Sequence, residues 1–122
     1  MAVGLVYDPI YLKHDTGAHV ENYQRLVATI EVLEQSQLLD RLTTLPPRAA
    51  SIDEVSLAHS DYHITRVQSF SSRGGGWLDG DTVASPDSYE VALYAAGGAL
   101  QAVDAVMTGE VNHAFALVRP PG

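Results

Sequence analysis

Three short runs that read as strands, Val3 to Tyr7, Leu42 to Leu45 and Ala114 to Val118, are separated by stretches whose apolar residues recur at helical spacing. The order strand, helix, strand, helices, strand predicts an α/β fold. Parallel strands need crossover connections, and helices supply them. We therefore expect a partial three-layer architecture: a parallel sheet of about three strands with flanking helices. Proline or glycine follows each run, at Pro9, at Pro46-Pro47 and at Pro120-Pro121-Gly122; proline has no N–H for a ladder and stops both pairing and helix. With 122 residues, 46% of them apolar, the chain can bury one modest core, so a single domain over residues 1–122 is expected.

The helical stretches carry local signals. From Glu21 to Gln35, Leu26, Ile30 and Leu33 fall at i, i+4 and i+7, one stripe of an amphipathic helix. Ser51 followed by Glu54 has capping-box spacing. Ser60-Asp61 offers another helix start, with Ile64, Val67 and Phe70 behind it until Arg73-Gly74-Gly75-Gly76. That glycine run reads as a mobile loop and not a phosphate cradle, because neither Gly-Lys-Ser/Thr nor a preceding strand accompanies it. Ser85-Pro86-Asp87 should open a helix that runs to Thr108 and stops at Gly109. Ala92, Ala96, Ala99, Val103 and Val106 would line its packing face, and Gly97-Gly98 would admit a neighbouring backbone closely.

Composition closes off several functions. The chain has no cysteine, which removes disulfides, thiol catalysis and cysteine-ligated zinc. Seven basic residues against fifteen acidic ones give a net charge of −8, and the cations are scattered, so no nucleic-acid partner is expected. No run approaches the roughly 20 apolar residues of a membrane span, and the opening residues lack a signal-peptide pattern. A cytoplasmic location follows as the default expectation.

Four groups of residues could carry chemistry. His59 and His63, four apart, would share one helical face as metal-binding histidines do, but no third ligand is evident and the plainer reading is capping or packing. His14, Asp15 and His19 cluster in a loop, where hydrogen bonding that orders the loop is the plainer reading. Asp79 and Asp81 flank Gly80; two close carboxylates can bind a cation or share a proton, yet Asp-Gly-Asp is also ordinary turn composition. Arg25 lies near the start of a helix, where solvated surface is the default. No serine sits in a Gly-x-Ser-x-Gly elbow.

Taken in order, Gly4-Leu5-Val6-Tyr7-Asp8, His14-Asp15-Thr16-Gly17, His19-Val20-Glu21-Asn22 and Arg25-Leu26 resemble the opening of the histone deacetylase, acetoin-utilisation and acetylpolyamine amidohydrolase family. His59-Ser60-Asp61-Tyr62 resembles that family's His-Ser-x-x-Tyr helix. Gly74-Gly75-Gly76-Trp77-Leu78-Asp79, Asp81-Thr82, Ser88-Tyr89 and Ala95-Ala96-Gly97-Gly98 are similar to its bacterial members, and residues 114 to 122 to the strand that enters its active site. The chain departs at Val20 and Tyr23, where the family often has proline. It also ends before the family's His-His pair, its Asp, His and Asp zinc ligands and its oxyanion-stabilising tyrosine.

The resemblance implies a zinc-dependent deacetylase, cleaving acetyl-lysine or acetylpolyamine amides in full-length members, of which this chain is the N-terminal scaffold and rim. Zinc belongs to the complete members; no cofactor, metal ligand or catalytic residue is expected within this chain, which should be inactive alone. By the same resemblance Asp81 is the rim residue that accepts a hydrogen bond from the substrate backbone. Arg25 lies below the active-site tunnel, and residues 14 to 22, His19 among them, form pocket wall. The alternative is a non-catalytic oligomeric module that reuses the scaffold; a complementing C-terminal deacetylase segment is the other partner to expect. In either case Ala114 to Val118 should be a raw sheet edge that exposes Phe115 and Leu117 and pairs in a homo-oligomer.

Overall fold

The structure, a computed structural model, describes residues 1–121, so Gly122 of the Pro-Pro-Gly run lies outside the described residues. Three strands, β1 (Val3–Val6), β2 (Thr43–Leu45) and β5 (His113–Ala116), form a parallel sheet in the order β2-β1-β5. The α/β class and the parallel sheet match the sequence pattern. Register sets Leu5 against Thr44 and Phe115, and Val6 against Leu45 and Ala116. Successive residues face opposite sides of a strand. Leu5 accordingly joins Leu26, Tyr11 and Leu117 in one buried cluster, while Val6 joins Leu45, Ala102, Ala105 and Val111 in another.

Helix α1 (Gln24–Gln35) supplies Leu26, with Ile30 and Leu33 half-buried beside it. It begins three residues later than its apolar stripe suggested. The Asn22 side chain accepts from the Gln24 N–H at 2.9 Å, which turns the chain there, and Glu21 is held elsewhere by arginine. The short helix α2 (Ile52–Val55) has the complete Ser51–Glu54 capping box, and α3 (Asp61–Ser72) is capped by Ser60.

The glycine run is a tight turn feeding a hairpin that the sequence pattern did not indicate. Strands β3 (Gly76–Asp79) and β4 (Thr82–Ala84) pair antiparallel, with an irregularity between Trp77 and Asp79. Gly75 lies at φ +81°, and a Cβ there would sit 2.2 Å from the Ala84 carbonyl oxygen. Only glycine fits that approach.

Helix α4 (Ser88–Met107) starts later than Ser85-Pro86-Asp87 proposed. Those residues form a preceding turn in which the Ser88 N–H reaches the Ser85 carbonyl at 3.0 Å and the Ser85 N–H reaches Ser88 Oγ at 2.7 Å. Its buried face is also different. Val91, Ala95, Gly98, Ala102 and Ala105 face inward, whereas Ala96, Ala99, Val103 and Val106 are exposed. The helix is apolar nearly all round, so composition alone could not choose the face. Gly97 and Gly98 do admit close neighbours: a Cβ on Gly97 would meet the Arg48 carbonyl oxygen at 1.7 Å, and one on Gly98 the Tyr11 hydroxyl at 2.5 Å. The helix ends at Met107, with Thr108 as its C-cap before Gly109 at φ +81°.

Among the described residues, strand β5 is an edge that pairs with β1 alone. Phe115, on the Leu5 face, is 62% exposed, but Leu117 is 4% exposed and belongs to the core, contrary to the expectation that it would be bared. Its N–H donates to the Val6 carbonyl at 2.9 Å, which carries the chain inward past the end of the strand.

Candidate functional site

The loop at residues 14–22 and the β3–β4 hairpin meet at the C-terminal end of the sheet's strands, and both are braced internally. His14 is buried, its Nδ1 sharing a hydrogen bond with Ser88 Oγ at 2.7 Å. Burial and then the Arg119 charge push its imidazole pKa down. Asp15 Oδ1 accepts from the Gly17 N–H at 2.9 Å, and Thr16 donates to the Glu21 carbonyl. These contacts order the loop. They leave His14 and Ser88, both under 7% exposed, beyond the reach of a substrate.

His19 and Asp81, both singled out in the sequence, are brought together: His19 Nε2 lies 2.8 Å from Asp81 Oδ1. The imidazole is largely shielded, with 15% of its side chain exposed, while the carboxylate is 93% exposed. The hydrogen bond to Asp81 pushes the His19 pKa up. Opposing this, the Glu21 N–H donates to His19 Nδ1 at 3.0 Å, and a proton added at that nitrogen would break the bond. Asp79 braces the hairpin tip, accepting the Asp81 N–H at 2.8 Å, so the Asp-Gly-Asp segment forms a braced turn. That bond, first among several, holds the Asp79 carboxyl below its usual range. Trp77 on β3, 61% exposed, lies with its ring centroid 6.4 Å from that of His19.

Arg25 stands apart from this pair. Its Nη2 donates to Glu21 Oε1 and to the Val118 carbonyl, each at 3.3 Å. Beneath it lies a residue that the sequence reading passed over. Arg119 is fully buried and donates to both Glu21 carboxylate oxygens, at 3.1 and 2.9 Å, and to the carbonyls of Tyr11 and His14 at 3.2 and 2.6 Å. Burial alone would raise the Glu21 pKa, but the hydrogen bonds and charge of Arg119, with Arg25 behind it, hold that carboxyl below its usual range. The one available signal was a charge directly after an apolar strand.

His59 and His63 are exposed, with ring centroids 5.0 Å apart and no third ligand. Among the described residues no three His, Asp or Glu side chains are grouped to hold a metal. A catalytic zinc usually takes three protein ligands, so the residues present do not fit one.

The histone deacetylase domain family model matches residues 19–122 of this chain. The probable deacetylase of Methanothermobacter thermautotrophicus is 37% identical over 118 residues, covering 97% of this chain and 34% of the relative. Polyamine deacetylase HDAC10 of Mus musculus is 37% identical over 119 residues, covering 88% of this chain and 17% of that protein. The crystal structure of the HDA15 HD domain superposes with a TM-score of 0.93 at 27% identity, covering all of this chain and 36% of that one. The chain belongs to the histone deacetylase family. It spans about a third of the length of its archaeal relative (34%).

Proposed function

We propose that residues 1–122 are one unit, the N-terminal scaffold and active-site rim of a zinc-dependent deacetylase domain, acting in the cytoplasm on acetylated lysine or polyamine amides. The zinc ligands and the proton-transferring groups come from a complementing C-terminal segment, and no step of the hydrolysis is assigned to this chain. Its own residues bind and orient. Asp81 presents an acceptor to the substrate backbone, His19 forms wall beside it, and Arg25 lies deeper, against the end of β5. The observation that carries this reading is the His19–Asp81 contact, which joins two segments 62 residues apart into one rim.

Alone, the chain should bind no stoichiometric zinc and turn over no substrate. Incubation with zinc and a fluorogenic acetyl-lysine peptide tests this directly. Turnover above blank, or tight one-to-one zinc, would refute it and point to His59 and His63, or to His14 and His19. The complemented enzyme should hydrolyse the same peptide.

A second reading, a non-catalytic homo-oligomer, is favoured by the free edge of β5. The His113 N–H donates to the Ala2 carbonyl just before β1 and the Leu117 N–H to Val6 at its end, so by alternation those of Ala114 and Ala116 point away from β1. The edge carries no lysine or proline, and Phe115 is exposed beside it. Ala116→Pro would remove an outward donor and leave the β1 ladder intact. A dimer in light scattering that dissociates on this change supports the module; a monomer at tens of micromolar, or a dimer indifferent to the proline, removes it.

A further inference from the structure

Both ring nitrogens of His19 are engaged, and their partners fix its state. The Glu21 N–H points at Nδ1, so Nδ1 carries a lone pair and the ring proton sits on Nε2. That proton is donated to Asp81 Oδ1. The other carboxylate oxygen, Oδ2, makes no hydrogen bond among the described residues, and the side chain is 93% exposed.

Both ends of this contact stand on braced turns. The Asn22 side chain donates to the His19 carbonyl at 3.1 Å, and the Asp81 N–H is held by Asp79 Oδ1. Arg66 of α3 donates to the Leu78 carbonyl at 3.0 Å, which ties the hairpin down from its other side. An exposed ion pair between two free side chains orders little. Here a shielded donor of fixed tautomer meets a carboxylate whose backbone is already fixed, so rotation about the Asp81 side chain is what the contact removes.

We propose that His19 is a positioning residue, which as the neutral Nε2–H tautomer holds one oxygen of Asp81 so that the other is turned outward to accept a backbone N–H of a peptide substrate. This rests on the rim reading of Asp81 given above and adds the group that orients it. A carboxylate held by one oxygen gives up less side-chain freedom when the second accepts a hydrogen bond, and preorganisation of that kind appears in substrate binding. The acetamide itself makes no use of it, so the effect should divide substrates by whether they carry a peptide backbone.

Two arms test this. In the chain labelled with nitrogen-15, long-range imidazole spectra at alkaline pH, where the raised His19 pKa leaves the ring neutral, should show His19 protonated on Nε2 only; a proton on Nδ1 there would overturn the proposal. In the complemented enzyme, His19→Phe should raise KM for an acetylated peptide about tenfold, the order of one hydrogen bond to a charged group. Its turnover of a small acetamide, which has no backbone N–H to offer Asp81, should fall several-fold less than its turnover of the peptide. His19→Gln, which keeps a donor near the Nε2 position, should recover much of the loss. Equal losses on both substrates, or no rescue by glutamine, would make His19 merely structural. If the unsubstituted complemented enzyme fails to turn over, the deacetylase reading fails, while the tautomer still decides whether the clasp exists.

Discussion

Replacing Glu21 by Ala strips Arg119 of its one anionic partner among the described residues and leaves a fully buried guanidinium with two carbonyls, those of Tyr11 and His14. Breaking a buried pair from one side costs about 3–5 kcal/mol, because the remaining charge stays desolvated. The Glu21 side chain is 23% exposed, so water can enter where it was. With two carbonyls still in place and water able to enter, the loss should fall at or just below the lower end of that range, about 2–3 kcal/mol. Glu21→Gln keeps shape and an acceptor but not the charge and should lose roughly half as much, about 1–1.5 kcal/mol. Arg25→Ala removes only the half-exposed partner at 3.3 Å and should stay under about 1 kcal/mol. The assay is urea denaturation at constant m, read as a shift in midpoint. The pH dependence gives an independent check. Because the folded-state pKa of Glu21 is depressed, its contribution is complete above the ordinary carboxyl value of 4.5 and is lost as pH falls through the folded value. An alanine variant within about 0.5 kcal/mol of the parent, in the range of ordinary surface substitutions, would refute the argument.

Gly97→Ala should destabilise the chain by about 1–3 kcal/mol, since the new Cβ meets main chain at Arg48 and not a flexible side chain. If that packing were absent, helix propensity would make the same change stabilising by about 1 kcal/mol, so the sign of the urea midpoint shift decides. His14 makes stability fall with acid in a separate window: its folded pKa is lowered, so its contribution is whole above the ordinary imidazole value of 6.5 and is lost as pH drops below it. Thermal melts between about pH 7.5 and 5.5 should show that loss in the parent but not in His14→Gln.

What could be read from the sequence was what depends on neighbours along the chain. Ser51 and Glu54 meet within one turn, so their spacing alone specified the capping box. Three short strand-like runs between helical stretches were enough for the parallel sheet, and the ordered motifs were enough for the family. Position in space was harder to read. On α4 the buried Val91, Ala95 and Ala102 and the exposed Ala96, Ala99 and Val103 are chemically alike, so nothing marked the inward face. The β3–β4 hairpin has strands of four and three residues behind three glycines, too short for alternation to stand out. Within the site, His19 and Asp81 were each visible as candidates, but their contact was not. Arg119 gave no local sign of burial, because its carboxylate partner lies 98 residues away.

That long separation is also what lets Arg119 tie the loop at residues 14–22 to the end of β5. In open parallel sheets, groups that meet a ligand collect beyond the C-terminal ends of the strands, where loops replace the ladder. Here β1 leads into the 14–22 loop and β5 leads to Arg119, and the two adjacent exits are joined by one side chain. Its guanidinium holds the Tyr11 and His14 carbonyls and the Glu21 carboxylate together, while Arg25 ties the same carboxylate to the Val118 carbonyl. Glu21 in turn supplies the N–H that fixes the His19 ring, and that ring holds Asp81. A buried charge is a poor source of stability by itself, since an apolar replacement of equal volume often serves as well. What an apolar side chain could not do is satisfy two carbonyls and a carboxylate at set directions. The pair is therefore better understood as fixing the geometry of the loop: the path from the end of β5 to the exposed carboxylate of Asp81 runs through hydrogen bonds of defined direction at every step.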